Sequence, residues 1–307
     1  MTLPDSLRLN TYGFYEISEK PAPEALQKYY EQRYYQEALT TYTSVYSPEE
    51  QEHFTGMLRL RHWVLENLPT AAAIPGEPLP KAASCSQRFL DIGCGEGWAL
   101  AYFKHQQWEV TGLDFSNFAL AQFHPDLLPH LRTGDLFESL RQLVAEGQRF
   151  EILWLDNVLE HVLEPAELLR LCRQLVAPGG ALLVDVPNDF SALQQHALST
   201  GAIDRPFWVV LPDHLSYFNA NGLRNLAEDT GWQVARLLGD HPIDFNLLTP
   251  HSNYVMNRAV GKAAHQARVA QDNFLLRTAP LPAIATYYEA LAGMGMGRSI
   301  VAFLQPV

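Results

Sequence analysis

The chain has 307 residues, of which 47% are hydrophobic and 18% charged, and its formal net charge is −12. This length and composition are typical of a soluble globular protein with one large α/β domain and added segments, and no apolar run is long enough to predict a membrane span. Acidic residues in excess, without a cluster of lysine and arginine, argue against a nucleic-acid partner. The N-terminus has no signal-peptide pattern, and the three scattered cysteines lack zinc-site spacing, so we expect a cytoplasmic protein.

The first eighty residues are rich in tyrosine. Helical spacing over 24–38 places several tyrosines on one face, and a second helix is predicted over 49–68, opened by Ser47 and Pro48. Prolines and alanines over 70–86 predict a linker. We therefore predict that 1–80 is a helical N-terminal cap or lid, in which most tyrosines pack between helices and one or two contact the substrate.

After the linker, strand and helix patterns alternate, which predicts βαβ units and a parallel sheet. A turn is predicted at 178–180, before the fifth strand, and a helical insertion precedes the last strand. The predicted strands are 88–92, 108–113, 131–132, 150–155, 181–186, 232–238 and 298–304, and the clearest helices are 98–105, 165–176 and 219–230. We predict a core over 81–239, a substrate cap over 240–297 and a final core strand over 298–307.

The run 89–98 is an apolar strand followed by a turn with three alternate glycines and the start of a helix. Such a loop permits the close backbone approach that a flat ligand needs. The dinucleotide fingerprint requires a glycine at the position of Trp98. Asp91 and Glu96 would repel a pyrophosphate but suit an ammonium group, so the loop favours S-adenosylmethionine (SAM) over NAD.

Two further acidic residues follow the next two strands. Asp114 ends the second strand, where a carboxylate can accept both ribose hydroxyls, and Asp135 follows the third strand, where it could accept from the adenine amino group. A glycine loop alone also occurs in structural turns, and each aspartate alone is typical of a loop or helix cap. Acidic groups at three successive strand ends favour a cofactor site.

The segments 91–97, 112–116, 156–162 and 175–180 together resemble the class I SAM-dependent methyltransferases, in particular the small-molecule group related to ubiquinone-type and sugar methyltransferases. The resemblance covers 87–238. It implies a doubly wound, Rossmann-like, seven-stranded α/β sheet, mostly parallel with an antiparallel last strand. It also implies that the methionine end, the ribose and the adenine are held at successive strand ends. The implied SAM-binding residues are Asp91, Gly93, Cys94, Gly95, Asp114, Phe115, Asp135, Leu136, Asp156 and Asn157.

Two histidines are candidates for contact with the acceptor. His161 stands beside Glu160 after the fourth strand, in a pair that is common in the resembling group and can be architectural. His214 stands between Asp213 and Tyr217 on the predicted ligand edge, in a segment similar to one in some sugar methyltransferases. We predict His214 as the general base; alternatively, it organises the entry of the next helix. The predicted catalytic residues are His214, His161, Asp213 and Tyr217.

A metal-assisted mechanism is the other possibility at this edge. Catechol-type methyltransferases place a divalent ion between an aspartate after the fourth strand and an Asp-Asn pair after the fifth. Here Asp156 and Asn157 follow the fourth strand, and Asp185, Asn188 and Asp189 surround the end of the fifth. The residue types fit but their order does not, so we predict no metal.

These patterns predict a methyltransferase that modifies oxygen or carbon of a small-molecule acceptor. A sugar or sugar nucleotide is the favoured acceptor, because basic residues recur at helical spacing in the insertion and could hold a phosphate or carboxylate; they could equally be solvated. These residues are Arg258, Lys262, His265 and Arg268. The alternatives are a quinone- or acyl-type acceptor, and a non-catalytic member of the fold that binds the cofactor.

Overall fold

The computed structural model describes residues 6–22, 45–69 and 87–307. The predicted helix over 24–38 and the predicted linker over 70–86 lie outside the described residues. Ten strands are described. They are β1 (Leu7–Leu9), β2 (Tyr15–Ile17), β3 (Arg88–Ile92), β4 (Glu109–Asp114), β5 (Leu131–Thr133), β6 (Phe150–Asp156), β7 (Val176–Pro187), β8 (Ser216–Tyr217), β9 (Trp232–Gly239) and β10 (Ser299–Pro306).

The same ranges hold nine α-helices and several short 3₁₀ turns. Within these ranges the helices predicted over 49–68, 98–105, 165–176 and 219–230 are present, within two residues at each end. The helices are α1 (Pro48–Glu66), α2 (Trp98–His105), α3 (Phe118–Phe123), α4 (Leu136–Ala145), α5 (Pro165–Leu175), α6 (Ala192–Ser199), α7 (Ala220–Asp229), α8 (Gly261–Thr278) and α9 (Leu281–Gly293). Among the described residues, no helix has both the length and the apolar character needed to cross a membrane.

The main sheet has seven strands in the order β5-β4-β3-β6-β7-β10-β9. Strands β3 to β7 pair in parallel, and β10 pairs antiparallel with both β7 and β9. The predicted doubly wound sheet with an antiparallel last strand is therefore confirmed. Chain order reverses direction between β3 and β6, and ligands bind at such a switch point, beyond the carboxyl ends of the strands.

Both faces of the sheet are buried, as expected for parallel strands covered by helices. In β6, Leu153 and Leu155 belong to one buried cluster, while Ile152 and Trp154 belong to the other. Helices α4, α5 and α7 contribute to the first cluster, and α1, α2 and α9 contribute to the second. The carboxyl edge of this sheet is thus a fixed platform for side chains that follow each strand.

The turn predicted at 178–180 is wrong, because the backbone there already belongs to β7. The parallel register between β6 and β7 shifts between Phe150 and Ile152, which accommodates extra residues in β7 without ending it. Gly180 fits because a Cβ at that position would lie 2.7 Å from the carbonyl oxygen of Glu151. The glycines therefore produce a bulge rather than a turn.

A small sheet of order β1-β2-β8 was not predicted from the sequence. Strand β2 pairs antiparallel with β8, and the buried Phe14 ring packs 4.4 Å from Phe218, measured between centroids. The backbone N–H of Leu215 donates to the carbonyl of Glu160 at 2.8 Å, and that of Ile17 donates to Leu215 at 3.0 Å. The N-terminal hairpin therefore supports the segment that carries His214.

Candidate active site

The glycine loop is fastened to the neighbouring strand at the sheet's carboxyl edge. The N–H groups of Gly93 and Cys94 both donate to the carbonyl of Leu113, at 2.7 and 3.0 Å. All three alternate glycines have positive φ, a conformation that disfavours other residues. The sequence therefore forms a tight turn between β3 and α2 that leaves backbone groups facing outward.

Only one of the three glycines in this loop faces open space. A Cβ on Gly93 would lie 2.6 Å from Val158, and one on Gly97 would lie 2.2 Å from Leu120. At Gly95 a Cβ would meet nothing within 4 Å. The open side at Gly95 is therefore where a flat ligand can reach the backbone.

Asp114 holds the loop in place from the end of β4. Its Oδ2 accepts from the N–H of Gly95 at 2.9 Å, and its Oδ1 accepts from the N–H of Ser116 at 3.1 Å. Burial raises the pKa of this carboxyl, and the backbone donors oppose that shift. The side chain lies at the edge where the ribose is expected, with each oxygen already receiving one hydrogen bond.

Asp91 supplies a buried negative charge beneath the loop. Asp91 is 4% exposed. Burial and the charges of Asp156 and Asp114 raise the pKa of its carboxyl well above the usual value. A cationic ligand would relieve this repulsion, whereas a phosphate would increase it. The three carboxylates and the opening at Gly95 therefore fit the ammonium and sulfonium groups of SAM.

The side chains of the other predicted cofactor residues lie in different surroundings. The Cys94 thiol points into the core beside Gly112, so only its backbone faces the loop, and Leu136 packs against the other core cluster. Asp135 is exposed and caps α4, since its Oδ1 accepts from the N–H of Glu138 at 2.9 Å. Phe115 is half-buried beside the loop.

Arg61 joins the ends of β6 and β7, a role that no pattern in the sequence indicates. It lies on α1 and donates through Nη1 to Asp156 Oδ2 at 2.8 Å and through Nη2 to Asp185. Burial raises the pKa of the Asp185 carboxyl, and the guanidinium opposes that shift. On a surface helix an arginine is usually solvated, so the partners become visible only after folding.

Asp156 and Asn157 remain at the position expected near the sulfonium. Asn157 has a φ of 54°, and its side-chain amide donates to Asp156 Oδ1 at 2.7 Å. Its backbone N–H donates to the carbonyl of Asp185 at 3.0 Å. The left-handed backbone here turns the chain sharply after β6 and leads directly to Glu160.

A second group of polar side chains follows this turn. Glu160 is 1% exposed, and neither carboxylate oxygen has a hydrogen-bond partner among the described residues. Its Oε1 lies 3.8 Å from Nε2 of His161. The His161 and His214 rings meet edge to face with centroids 4.9 Å apart. The structure thus brings both predicted histidines together over a buried carboxylate, which the sequence did not mark as buried.

Contacts with the loop before β8 fix the orientation of these histidines. Nδ1 of His161 lies 2.8 Å from the carbonyl oxygen of Asp213 and therefore donates to it. Burial, followed by the nearby His161, lowers the pKa of His214 to about 4, so its imidazole is neutral near pH 7. Tyr217 is fully buried and donates to the carbonyl of His214 at 3.0 Å, which makes it a support for the loop.

The basic face predicted in the insertion is partly used inside the protein. Nε2 of His265 lies 3.1 Å from Glu50 of α1, and Arg268 contacts His265 at 3.4 Å. Arg258 and Lys262 are exposed. The four basic residues therefore do not all face an acceptor phosphate, because His265 links α8 to Glu50 of α1 and Arg268 contacts His265.

Gly95→Ala tests the opening in the loop. Since nothing would meet the new Cβ within 4 Å, we expect unfolding to become easier by only about 1 kcal/mol, from the left-handed backbone. The cofactor should then collide with the methyl group, so the Kd for SAM in calorimetry should rise by about tenfold or more. Gly201→Ala is the matched control, because it has φ of 74° and an equally open side elsewhere; equal effects on SAM would contradict the assignment.

A sheet of this order, with an open glycine loop and acidic strand ends suited to a cationic ligand, is the architecture of the class I SAM-dependent methyltransferases. The chain belongs to the methyltransferase-domain family, whose model matches residues 51–237. The solved SAM-dependent methyltransferase from Archaeoglobus fulgidus has the same fold, with a TM-score of 0.50, 16% identity, and coverage of 83% of this chain and 93% of that chain. The protein is thus a SAM-dependent methyltransferase, as predicted.

Similar curated proteins share one name. A ubiquinone biosynthesis O-methyltransferase of Caulobacter sp. (strain K31) is 38% identical over 104 residues, which are 33% of this chain and 41% of that protein. Its namesakes from Aromatoleum aromaticum and Pseudomonas putida are 29% and 28% identical over 171 and 192 residues, covering 55% and 59% of this chain and 72% and 77% of theirs. The chain therefore spans less than half of the Caulobacter relative and about three quarters of the other two.

Proposed function

We propose that this enzyme methylates a hydroxyl oxygen on a small ring acceptor of the quinone-precursor type. The observation that carries the proposal is the similarity to several proteins named ubiquinone biosynthesis O-methyltransferases. That similarity favours the quinone-type alternative over the sugar acceptor preferred from the sequence. His265, one of the basic residues expected to hold an acceptor phosphate, instead contacts Glu50 of α1. This contact also favours the quinone-type acceptor over the sugar.

Asp91, Asp114 and the backbone at Gly95 would hold SAM at the sheet's carboxyl edge. When bound there, SAM supplies an electrophilic methyl group on a sulfonium. The Asp91 carboxylate, whose pKa is raised in part by the charge of Asp156, would orient the ammonium group of SAM. The side chain of Asp114 would receive the ribose, and its bond to Gly95 N–H keeps the loop in the required shape.

The acceptor would enter from the side of His161 and His214. His161 lies beyond the end of β6, a few residues after Asp156, and His214 packs beside it with ring centroids 4.9 Å apart. Asp213 orients His161 through its carbonyl. Methyl transfer requires alignment of the oxygen and removal of its proton, and in this proposal the two imidazoles would serve these steps.

The surroundings of this position suit a ring more than a sugar. Phe190 lies at the end of the segment that follows β7, with its ring 4.4 Å from Tyr15 and 5.5 Å from Trp208, between centroids. Phe190 and Trp208 are buried in one apolar cluster against which Tyr15 packs, so this group offers an acceptor an apolar boundary with few hydrogen-bond partners for sugar hydroxyls. We propose that this aromatic group, together with the insertion over 240–297, forms the substrate cap.

An acceptor panel tests the proposal directly. Release of S-adenosylhomocysteine would be measured with a substituted benzoquinol, with UDP-glucose and with an aliphatic carboxylic acid, each at matched concentrations. We expect kcat/KM for the quinol to exceed the other values by about tenfold or more. Faster turnover of the sugar nucleotide would contradict the proposal and support the sugar acceptor favoured from the sequence. Turnover that persists in a variant unable to bind SAM would indicate a contaminating enzyme.

A further inference from the structure

The side chains of Glu160, His161 and His214 form a compact set of donors. One possible ligand atom from each lies within 4.8 Å of the other two. The set differs from the Asp156, Asn157 and Asp185 arrangement considered from the sequence, and it draws on two segments, the turn after β6 and the loop before β8. Two imidazoles and one carboxylate are the donors of many catalytic zinc sites, which leave further coordination positions open.

The buried carboxylate provides the strongest sign of a ligand. Both oxygens of Glu160 are inaccessible to solvent and lack a hydrogen-bond partner among the described residues. A buried carboxylate without partners is costly unless a cation or a donor satisfies it. The Nδ1 of His214 is likewise buried and lacks a partner among the described residues, so two separate side chains present unsatisfied atoms to the same space.

The hydrogen bond of His161 matches that of a metal ligand. Its Nδ1–H donates to the carbonyl of Asp213 at 2.8 Å, and its Nε2 lies 3.8 Å from Oε1 of Glu160. Metal-binding histidines almost always donate their other N–H to a carbonyl or carboxylate in this way, which fixes the ring and its tautomer. The Asp213 carbonyl therefore performs the orienting task of a metal site.

We propose that Glu160, His161 and His214 bind a divalent transition-metal ion, with Zn²⁺ as the best match. Tetrahedral Zn²⁺ with bonds of about 2.1 Å separates its ligands by roughly 3.4 Å, and Nε2 of His161 already lies 3.8 Å from Oε1 of Glu160. Binding would draw the three ligand atoms, now within 4.8 Å of one another, closer together. The nearby carboxylates of Asp156, Asp185 and Asp189 favour a cation there, while Arg298 is paired with Asp189 at 3.1 Å.

For catalysis, the inference rests on the proposed function and refines it. A hydroxyl oxygen of the acceptor would occupy an open position of the ion, which favours loss of its proton. The methyl group then passes from sulfur to that oxygen, the S–C bond breaks as the O–C bond forms, and the proton leaves to water. In this arrangement His214 is a ligand rather than the general base predicted from the sequence.

Zn²⁺ titration of the untagged, chelator-dialysed chain tests the site without any acceptor. We expect one ion per chain with a Kd of about 1 µM or tighter, and much weaker binding of Mg²⁺. Glu160→Gln, His161→Gln and His214→Gln should each weaken Zn²⁺ binding by about tenfold or more. His196→Gln, an exposed histidine of α6, should bind as the wild type does.

Binding of SAM, measured on the same samples, reports whether each variant is folded. Absence of stoichiometric Zn²⁺ binding in the wild type, or binding that survives in all three variants, would overturn the site. Either result would leave the acceptor panel as a separate test of the proposed function. Conversely, Zn²⁺ binding as expected without methylation of any quinol would support the metal site and contradict the proposed acceptor.

Discussion

Asp91→Asn is expected to weaken SAM binding by about 30-fold or more while leaving the protein folded. Removing one partner of a buried charge pair costs roughly 2–5 kcal/mol, and Asp91 is the most deeply buried carboxylate beneath the loop, at 4% exposure. Asparagine keeps the size of the side chain and can still accept from the N–H of Leu100 at the start of α2. Calorimetric titration with SAM measures the loss.

Stability should move in the opposite direction from affinity. In the free protein, burial and the charges of Asp156 and Asp114 raise the pKa of Asp91, so neutralising this side chain removes repulsion. The thermal midpoint should therefore stay the same or rise slightly. Asp126→Asn, the same change at an exposed position, should alter neither quantity. A variant that loses stability and affinity together would assign Asp91 a structural role instead.

The pH dependence of SAM binding provides a second readout. The pKa of Asp91 is raised in the free protein, and a cationic ligand would lower it in the complex. Affinity should therefore be fully present above the free-protein pKa and decline as pH falls below it, with proton release on binding. In Asp91→Asn this part of the dependence should vanish, whereas unchanged pH profiles would contradict the charge argument.

The core of the fold could be predicted because its signals are local. Apolar strands, a glycine turn and amphipathic helices repeat within windows of about ten residues. Strands β3, β4 and β6 and the helices α2 and α5 therefore follow from periodicity. Strands β1, β2 and β8 have only two or three residues each, too few for a period to register. The pairing of β2 with β8 also joins chain segments some two hundred residues apart.

The cofactor half of the site was likewise easier to predict than the acceptor half. Asp91, Gly95 and Asp114 each follow from a strand end, and parallel strands bring their ends to one edge. Burial of Glu160 and its closeness to His214 arise from the hydrogen bond between Leu215 and Glu160, which links two distant loops. The residue spacing within either segment does not predict this hydrogen bond.

The two partners of Arg61 come together only when the chain folds. We therefore expect replacement of Arg61 to lower the free energy of unfolding more than the other substitutions do. Arg61→Leu would leave Asp156 and Asp185 without their shared cation, and breaking a buried ion pair by removing one partner costs about 3–5 kcal/mol. Urea unfolding measures this loss. Arg59→Leu is the matched control on the same helix, because within the described residues Arg59 donates to the carbonyl of Leu276 alone, a bond worth about 1 kcal/mol.

The electrostatic cause can be separated from lost packing by pH and by a second substitution. Burial raises the pKa of Asp185 and Arg61 opposes this, so in Arg61→Leu the pKa of Asp185 should rise further. The pKa of Asp185 is about 8 with Arg61 present, so a further rise lowers the stability of the variant relative to the wild type only above that pH. The loss should therefore be larger near about pH 9.5 than near about pH 7. Adding Asp185→Asn to Arg61→Leu should restore part of the stability at the higher pH, because the uncompensated charge disappears. Equal losses for Arg59→Leu and Arg61→Leu, or a loss independent of pH, would mean that Arg61 contributes through its packing on Trp154 rather than through the two carboxylates.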